Sequence, residues 1–388
     1  MHETGVTAMR RTFLALAALC LSAALHAGEI EGFTPETGRT VAIGGPHAAL
    51  ADDFSALFAN PACLVSVPRE LYISRLDIRA TGPVLDIASA LLSGGDMTAS
   101  LLDLLAANGY KFYAGADIAG PIAFGYAGGG LGFGLFNGTK VSLNAASATS
   151  IAVSAKENLL LAGGYSFRVG LGGGHALDFG LSAKGFARGE ISKSLGAIEL
   201  MGVMQDPMAL LDLPFTLTTG VGLDAGLRWN WDEVLSAGLA CRDAYSPVLV
   251  TTYDDASSFI ANPAAAHPVS TSGVLDPDLA FGLAFTPRLG RLGRYLDSLS
   301  VALDYRDLLD LLEPLPRNPI LNVGLGLELR ALDVLSFRAG ISETLLSAGL
   351  GLDLDFMRIE LAAFGRELGI EPGQRPVYNL EASFDFSY

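Results

Sequence analysis

Long segments with a period of two constrain this chain most. In "LNVGLGLEL" (321–329) Leu, Val, Leu, Leu and Leu alternate with Asn322, Gly324, Gly326 and Glu328. In "TLTTGVGLDAGLRWNW" (216–231) Leu217, Val221, Leu223, Leu227, Trp229 and Trp231 share one face, and Asp224, Arg228 and Asn230 share the other. The last segment, "VYNLEASFDFSY", alternates through to Tyr388. A strand points successive side chains to opposite sides, so each segment has one greasy and one polar face. Helices with a 3.6-residue period cannot keep that pattern.

A soluble β-sandwich alternates too, and three features favour a membrane barrel over it. The segments run to about 9–16 residues, where globular strands centre on about 5–6. Their polar faces are rich in Gly, Ser and single charges, as a wet lumen would be. The chain ends on an aromatic residue after an alternating strand. Tilted strands of about 9–11 residues span a bilayer, and closing them into a ring leaves no edge unpaired in lipid. The expected fold is therefore all-β: an antiparallel transmembrane barrel of 14–16 strands, with short helices in the outer loops.

Strands are read near 71–79, 110–118, 121–127, 130–137, 139–153, 158–170, 176–190, 215–231, 234–243, 277–287, 298–306, 319–330, 334–342, 346–355, 357–365 and 376–388. The two segments in 121–137 are short, so the count falls to 14 if they do not span. The long connections 80–109, 191–214, 244–276, 307–318 and 366–375 all fall on one side. The opposite side receives short turns such as "DE" at 232–233, with 288–297 the exception. Outer-membrane barrels have short periplasmic turns and long outer loops. Amphipathic helices are expected within 85–108 and 196–213.

Three composition facts narrow the class. Mean hydropathy is +0.40, yet no run of about 18 apolar residues follows the N-terminus, which argues against a helical membrane protein. Net charge is −16, which argues against nucleic acid as a partner. "MRRTFLALAALCLSAALHAGEIEG" has two arginines, an apolar run and then small residues: a secretory signal starting at Met9 and cut after Ala27. That gives a signal peptide at 1–27, an N-terminal unit at 28–68 and a barrel at 69–388.

Residues 28–68 lack alternation. In "ALADDFSALFANPACL", Asp52 or Asp53 can cap a helix whose Phe54, Leu57 and Phe58 share a face. Asn60 before Pro61 ends that helix. The apolar face needs a burial place, and the lumen offers one. A near copy, "DDASSFIANPA" at 254–264, lies in the longest outer loop. Its helix face is weaker, because Ala256 replaces Phe54. The match reads as a coincidence of loop residues, against the sharper idea of a second plug at the mouth.

The segment "ALADDFSALFANPACL" resembles the N-terminal hatch signature of the FadL-type outer-membrane transporters of hydrophobic compounds. Related barrels share it, including the shuttle protein of type IX secretion and conserved spirochaete outer-membrane proteins. "RWNWDEVLSAGLACRD", "VALDYRDLL" and "LSFRAGISETLLSAGLGLDL" resemble strand-turn-strand patterns of the same relatives. Cys63 departs from the pattern, which has Gly or another small residue there.

The resemblance implies a hatch held by Asp52, Asp53, Ser55, Asn60, Pro61 and Ala62. It implies a ligand pocket lined by Phe54 and Phe58, with Arg168, Lys184, Arg188, Arg228 and Arg338 able to hold a carboxylate head group. The competing reading pairs those basic residues with Asp178, Asp224, Asp304 or Glu328. The implied partners are a long-chain fatty-acid-like or other hydrophobic ligand, outer-membrane lipid, and the barrel-assembly machinery through the strand ending at Tyr388. The implied mechanism moves ligand from the outer face into the lumen and sideways through a wall gap when the hatch shifts.

The alternative is a structural or partner-binding barrel without transport. An enzyme finds little support. His47, His175 and His267 are scattered, "GLFNGTK" has its Lys after rather than before Thr, and "GGGLGFG" lacks dinucleotide-loop spacing. No cofactor or metal is expected.

Overall fold

The computed structural model describes residues 34–388 apart from residues 51, 93–102, 104–105, 108–110, 148, 197–198, 201, 204–205, 263–267, 313–315 and 355. The expected signal peptide lies outside the described residues.

The strands are β1 (Glu70–Thr81), β2 (Phe112–Gly128), β3 (Leu131–Ser147), β4 (Ser150–Gly172), β5 (His175–Leu195), β6 (Phe215–Trp231), β7 (Leu235–Tyr245), β8 (Pro247–Tyr253), β9 (Val269–Val274), β10 (Asp278–Phe285), β11 (Leu296–Tyr305), β12 (Val323–Ala331), β13 (Leu335–Ser342), β14 (Leu345–Leu354), β15 (Met357–Glu367) and β16 (Pro376–Ser387). Fourteen of them close into an antiparallel barrel. β1 meets β16 to shut the ring, and Leu71 and Tyr388 exchange backbone bonds of 2.8 and 2.9 Å at that seam. Closure leaves the ring without a terminal strand edge, which is what allows such a wall to sit in hydrocarbon.

β8 and β9 stand outside the ring. β6 pairs with β7 over its second half and with β8 over its first, so a hairpin continues the wall beyond the barrel rim. The sequence reading missed this hairpin. It also split β2 at Pro121, whereas the strand runs through the proline with an irregular register. The segment 139–153 read as one strand is the end of β3 and the start of β4, which meet at a tight turn. The first four residues expected in β12 form a 3-10 turn, Pro319–Asn322.

Alternation translates directly into the two faces of the wall. Leu161, Leu181, Val221, Leu350, Leu361 and Leu380 point outward and are each more than half exposed. Asp178, Asp224, Arg228, Glu328, Arg338, Glu360 and Glu381 point inward and are buried. The connections are asymmetric as expected. Tight turns at one end use Asp232 and Glu233, and Leu332 and Asp333, all with positive φ between 51 and 60°. Such paired left-handed residues suit two-residue hairpins. At that end His175 stacks on Trp229 and Trp231, with ring centroids 5.6 and 5.8 Å apart, an aromatic group of the kind that lines a membrane interface.

The long loops lie at the other end. One of them contains helix α3 (Val84–Leu92), and Pro207–Asp212 forms a 3-10 turn capped by Asp206. The rest of the two expected loop helices is only partly described.

The N-terminal segment occupies the lumen. It holds helix α1 (Gly38–Ala42), helix α2 (Ala56–Ala59) and a 3-10 turn over Pro61–Ser66. Its apolar core, with Leu57, Leu64 and Ala56 fully buried, packs on Tyr72, Phe136 and Leu160 of the wall. Small wall residues let it approach. A Cβ on Gly180, Gly226, Gly238 or Gly340 would run into the backbone or side chains of Gly44, Ala48, Asn60 and Pro61. The lumenal glycines that look like weak strand formers are therefore seats for a second chain segment.

Candidate functional site

The N-terminal segment is held by polar and charged anchors spaced around the ring. Arg39, the only charged side chain between Thr37 and Leu50, is the hub of the first. Its Nη1 meets Asp52 at 2.6 Å and Asp53 at 2.7 Å, within its own segment. Its Nε and Nη2 reach Glu328 of β12 at 3.0 and 2.6 Å, and its backbone N–H donates to Glu360 of β15 at 2.8 Å. Arg338 of β13 bridges the same two carboxylates at 2.8 and 2.9 Å. Burial pushes the Asp53 carboxyl up, but Arg39 and the Ser55 hydroxyl outweigh it and hold it well below the usual carboxylate range. The Arg39 guanidinium is correspondingly raised by Asp52 and Glu328 against its own burial.

A second anchor is His47. It contacts Asp304 of β11 at 2.5 Å, while the Ala48 N–H donates to the same carboxylate at 2.6 Å. Asn60, fully buried, stitches the segment to itself: its Nδ2 donates to the Ala48 carbonyl at 2.6 Å and its Oδ1 accepts from the Ala62 N–H at 3.0 Å. A third anchor is the Ser66 hydroxyl, which accepts from Arg168 and Arg228. The fourth is Glu36, between Arg79 of β1 at 2.9 Å and Arg366 of β15. Burial raises that carboxyl, but Arg366 and Arg79 overcome it and set it at about 2.

Each residue expected at the site has a defined place. Asp52 joins the Arg39 hub, and Asp53 also accepts from the Ser55 N–H at 2.8 Å at the start of α2. Pro61 and Ala62 open the 3-10 turn after Asn60. Phe54 and Phe58 form an aromatic cluster with Phe136, at 5.4 and 5.3 Å between centroids, and Phe54 also meets Tyr72 at 4.9 Å. Phe58 lines a small cavity of about 210 Å³, whereas Phe54 packs in the core.

The five expected basic residues divide. Arg168 and Arg228 both bind Asp178, Lys184 binds Asp224 and Asp243 at 3.0 and 2.9 Å, and Arg338 binds Glu328 and Glu360. Arg188 donates to Asn158 at 2.7 Å and faces an open chamber. Arg168, Arg228, Lys184 and Arg338 are thus paired as that alternative expects. Arg39, Glu36, His47, Ser66 and Glu360 were not singled out from the sequence. A lone charge inside the apolar stretch "TGRTVAIGG" was the available signal for Arg39.

The segment separates two hollows. On the loop side lies a chamber of about 430 Å³ that Glu36 enters from the N-terminal segment. On the turn side lies another of about 430 Å³, bordered by Arg39, Asp52 and Asp53. The loop-side chamber reaches the wall where the strand ladder is broken. Pairing of β1 with β2 is interrupted between Tyr72 and Asp77, and pairing of β2 with β3 between Ala119 and Ala123. Gly120 there has φ +93°, and a Cβ on it would strike the Arg75 carbonyl. Side chains fill in for the missing ladder: Ser74 donates to the Pro121 carbonyl at 2.9 Å, and Asn137 accepts from the Ile122 N–H at 3.1 Å. A larger hollow of about 1290 Å³ lies against the outward residues Leu325, Leu327, Ile341 and Leu380 on the outer face of the barrel.

No family model matches the chain. No curated protein matches it. Among solved structures, the deltaS2 mutant of the TodX monoaromatic hydrocarbon channel is similar over 91% of this chain and 98% of that one, with TM-score 0.50 and 11% identity. The chain has the fold of that channel. The Pseudomonas putida toluene transporter TodX (TM-score 0.47, 10% identity, 92% of this chain and 99% of that one) and a Pseudomonas aeruginosa FadL homologue (TM-score 0.44, 14% identity, 92% and 99%) are also similar.

The second "DD…NPA" segment does not repeat the first. Asp255 caps helix α4 (Ala256–Ala261) through the Ser258 N–H at 2.6 Å, but most of the helix is exposed. Phe259 packs on Phe215 and Tyr253 at 4.6 and 5.0 Å, at the tip of the β8–β9 hairpin. Asn262 is exposed, whereas Asn60 is wholly buried.

Proposed function

We propose that this protein is a plugged channel of the bacterial outer membrane that admits small hydrophobic or amphipathic molecules and releases them through its wall. The observation that carries the reading is the loop-side chamber, which is blocked below by residues 34–68 and adjoins the broken ladder of β1, β2 and β3. An axial path is closed to such a molecule, whereas the sideways path needs only the Ser74–Pro121 and Asn137–Ile122 bonds to part. The similar structure at TM-score 0.50 is a monoaromatic hydrocarbon channel, which supports hydrophobic cargo here.

In this reading residues 28–68 are the hatch. Its anchors at Arg39, His47, Ser66 and Glu36 are polar contacts that can part and re-form, while Asn60, Pro61 and Ala62 set its shape. The long loops face outward and the turns face the periplasm. Residues 1–27 are the export signal, and the strand ending at Tyr388 is the segment offered to the assembly machinery. The test is native mass spectrometry of the barrel purified from outer membrane. A stoichiometric apolar or amphipathic molecule is expected, and its uptake should fall when Asn60 and Pro61 are replaced. A partner-binding barrel is the second reading, favoured by the hairpin that exposes Leu249, Ile260 and Val269 beyond the rim. An empty barrel that co-purifies with a protein would support it.

A further inference from the structure

Ring closure does not cover β9. It is the last strand of the sheet, and among the described residues it pairs only with β8. Val269, Ser270, Thr271 and Ser272 are exposed, and Gly273 and Val274 are half-buried. An open edge presents a row of backbone N–H and C=O groups to any chain that can take an extended form. Sheets blunt such edges with charges, proline or a bulge. β9 has none of these. Its sequence "VSTSGV" is uncharged, its pairing with β8 runs without a shift, and Pro268 stands ahead of it rather than in it.

The edge stands in water rather than in lipid. β6 has 17 residues. At about 3.3 Å per residue and a tilt of about 40°, a strand of that length rises about 43 Å, against an apolar band of about 25 Å. Measured from Trp229 and Trp231 at the turn end, the band is used up near Val221. Residues 215–220, the part of β6 that pairs with β8, are therefore clear of the hydrocarbon. The outward side chains agree. Thr251 lies opposite Leu217 on the outward face, its hydroxyl is 3.1 Å from that of Ser270, and Ser272 beside them is exposed.

The surrounding charge selects the chain that fits. No lysine or arginine occurs between Lys193 and Arg228, or between Arg242 and Arg288. The loops in those stretches meet at the hairpin tip, where the Ala256 N–H donates to the Leu213 carbonyl at 3.1 Å and Phe259 packs on Phe215. They gather Asp206, Asp212, Asp254 and Asp255 toward the Val269 end of β9, because Val269 is paired with Thr252 at the end of β8. Asp206 and Asp255 cap turns through the N–H groups of Met208 and Ser258, which leaves their charge in place. Among the described residues none of the four aspartates meets a basic side chain at ion-pair distance. A patch of one sign attracts a basic chain and repels an acidic one.

We propose that the β9 edge docks an extended, basic segment of another protein, which adds one strand to the sheet. Backbone pairing with residues 269–274 supplies the binding, and β-branched side chains of the added strand pack beside Val269 and Thr271. Its lysines or arginines lie against Asp212 and Asp254. A second copy in the same membrane does not fit this edge. Identical edges pair antiparallel about a two-fold axis perpendicular to the sheet. With the wall upright, that axis lies in the membrane plane and would invert the second barrel. Docking here adds to the channel reading without depending on it, because the hairpin stands outside the ring.

The test is fluorescence anisotropy of labelled peptides with the full-length barrel in nanodiscs. The probes are the β-prone basic peptide KKTVTVTKK, its acidic counterpart EETVTVTEE, and two forms of the basic peptide N-methylated on alternate residues, one for each edge of the strand. The basic peptide should bind at least about tenfold more tightly than the acidic one. Methylation along one edge should abolish binding and methylation along the other should leave it, because an added strand pairs on one side only. Asp212→Asn with Asp254→Asn should bring the basic peptide close to the acidic one. Deletion of residues 247–274, in a barrel whose heat-modifiable migration is unchanged, should abolish binding. Equal binding of the acidic peptide, indifference to both methylation patterns, binding retained in the deletion variant, or no binding at all overturns the proposal. Self-association of the wild type that is lost with the hairpin also overturns it, by assigning the edge to a second copy.

Discussion

Arg39 is the residue on which the lumenal segment hangs, because it neutralises carboxylates from both the segment and the wall. Arg39→Gln takes a cation from the buried Glu328 and Asp53, a loss of about 3–5 kcal/mol for such groups. Hydrogen exchange across residues 38–66 should rise strongly in that variant while the strand amides stay protected. Glu36 adds a pH dependence. Its carboxyl sits at about 2 in the folded protein, below the ordinary value of 4.5. A depressed carboxyl contributes stability that is complete above about 4.5 and lost as pH falls through 2. The full loss is about 3 kcal/mol. Loosening of the N-terminal segment between pH 4.5 and 2 should therefore be visible by hydrogen exchange, and Glu36→Gln should flatten that profile. These anchors were not legible in the sequence. Arg39 and Glu328 stand 289 positions apart, and alternation says which way Glu328 points but not what comes to meet it.

At the scale of elements, the strands were legible because a period of two fixes the face of every residue once one is known. Three places escaped that logic. The alternation in 139–153 runs on through the turn between β3 and β4, so the end of one strand and the start of the next read as one. Pro121 in "AGPIA" reads as a strand end, yet β2 passes through it by giving up ladder bonds rather than stopping. "PVLVTTY" is too short and too uniformly apolar at its start to show its period, so β8 lay hidden in the longest loop. Because β7 and β10 pair directly, deletion of residues 247–274 with a short linker should leave the barrel closed, read as unchanged heat-modifiable migration. Loss of folding would show that the hairpin supports β6. The lumenal glycines make the opposite forecast. Gly226→Val fills the space of Asn60, so it should unseat the N-terminal segment, increasing protease cleavage within residues 38–66 without disturbing the strands.

For the whole molecule, class and topology came from pattern: outward leucines, inward charges, short turns at one end and long loops at the other. The basic residues proposed for ligand show the limit of that approach. Arg168, Lys184, Arg228 and Arg338 were correctly placed inside, but pairing with Asp178, Asp224, Glu328 and Glu360 depends on cross-strand register, which only the structure supplies. What remains is a ring whose axis is filled and whose wall is locally unpaired; on the proposed reading cargo passes sideways while ions do not pass at all. The most direct measurement is conductance across a planar bilayer, with wild type compared to a variant lacking residues 34–68. The wild type should pass almost no steady ion current, and the deletion variant should show a large open one. A stable, large conductance in the wild type would contradict it, because the lumen would then be an open pore.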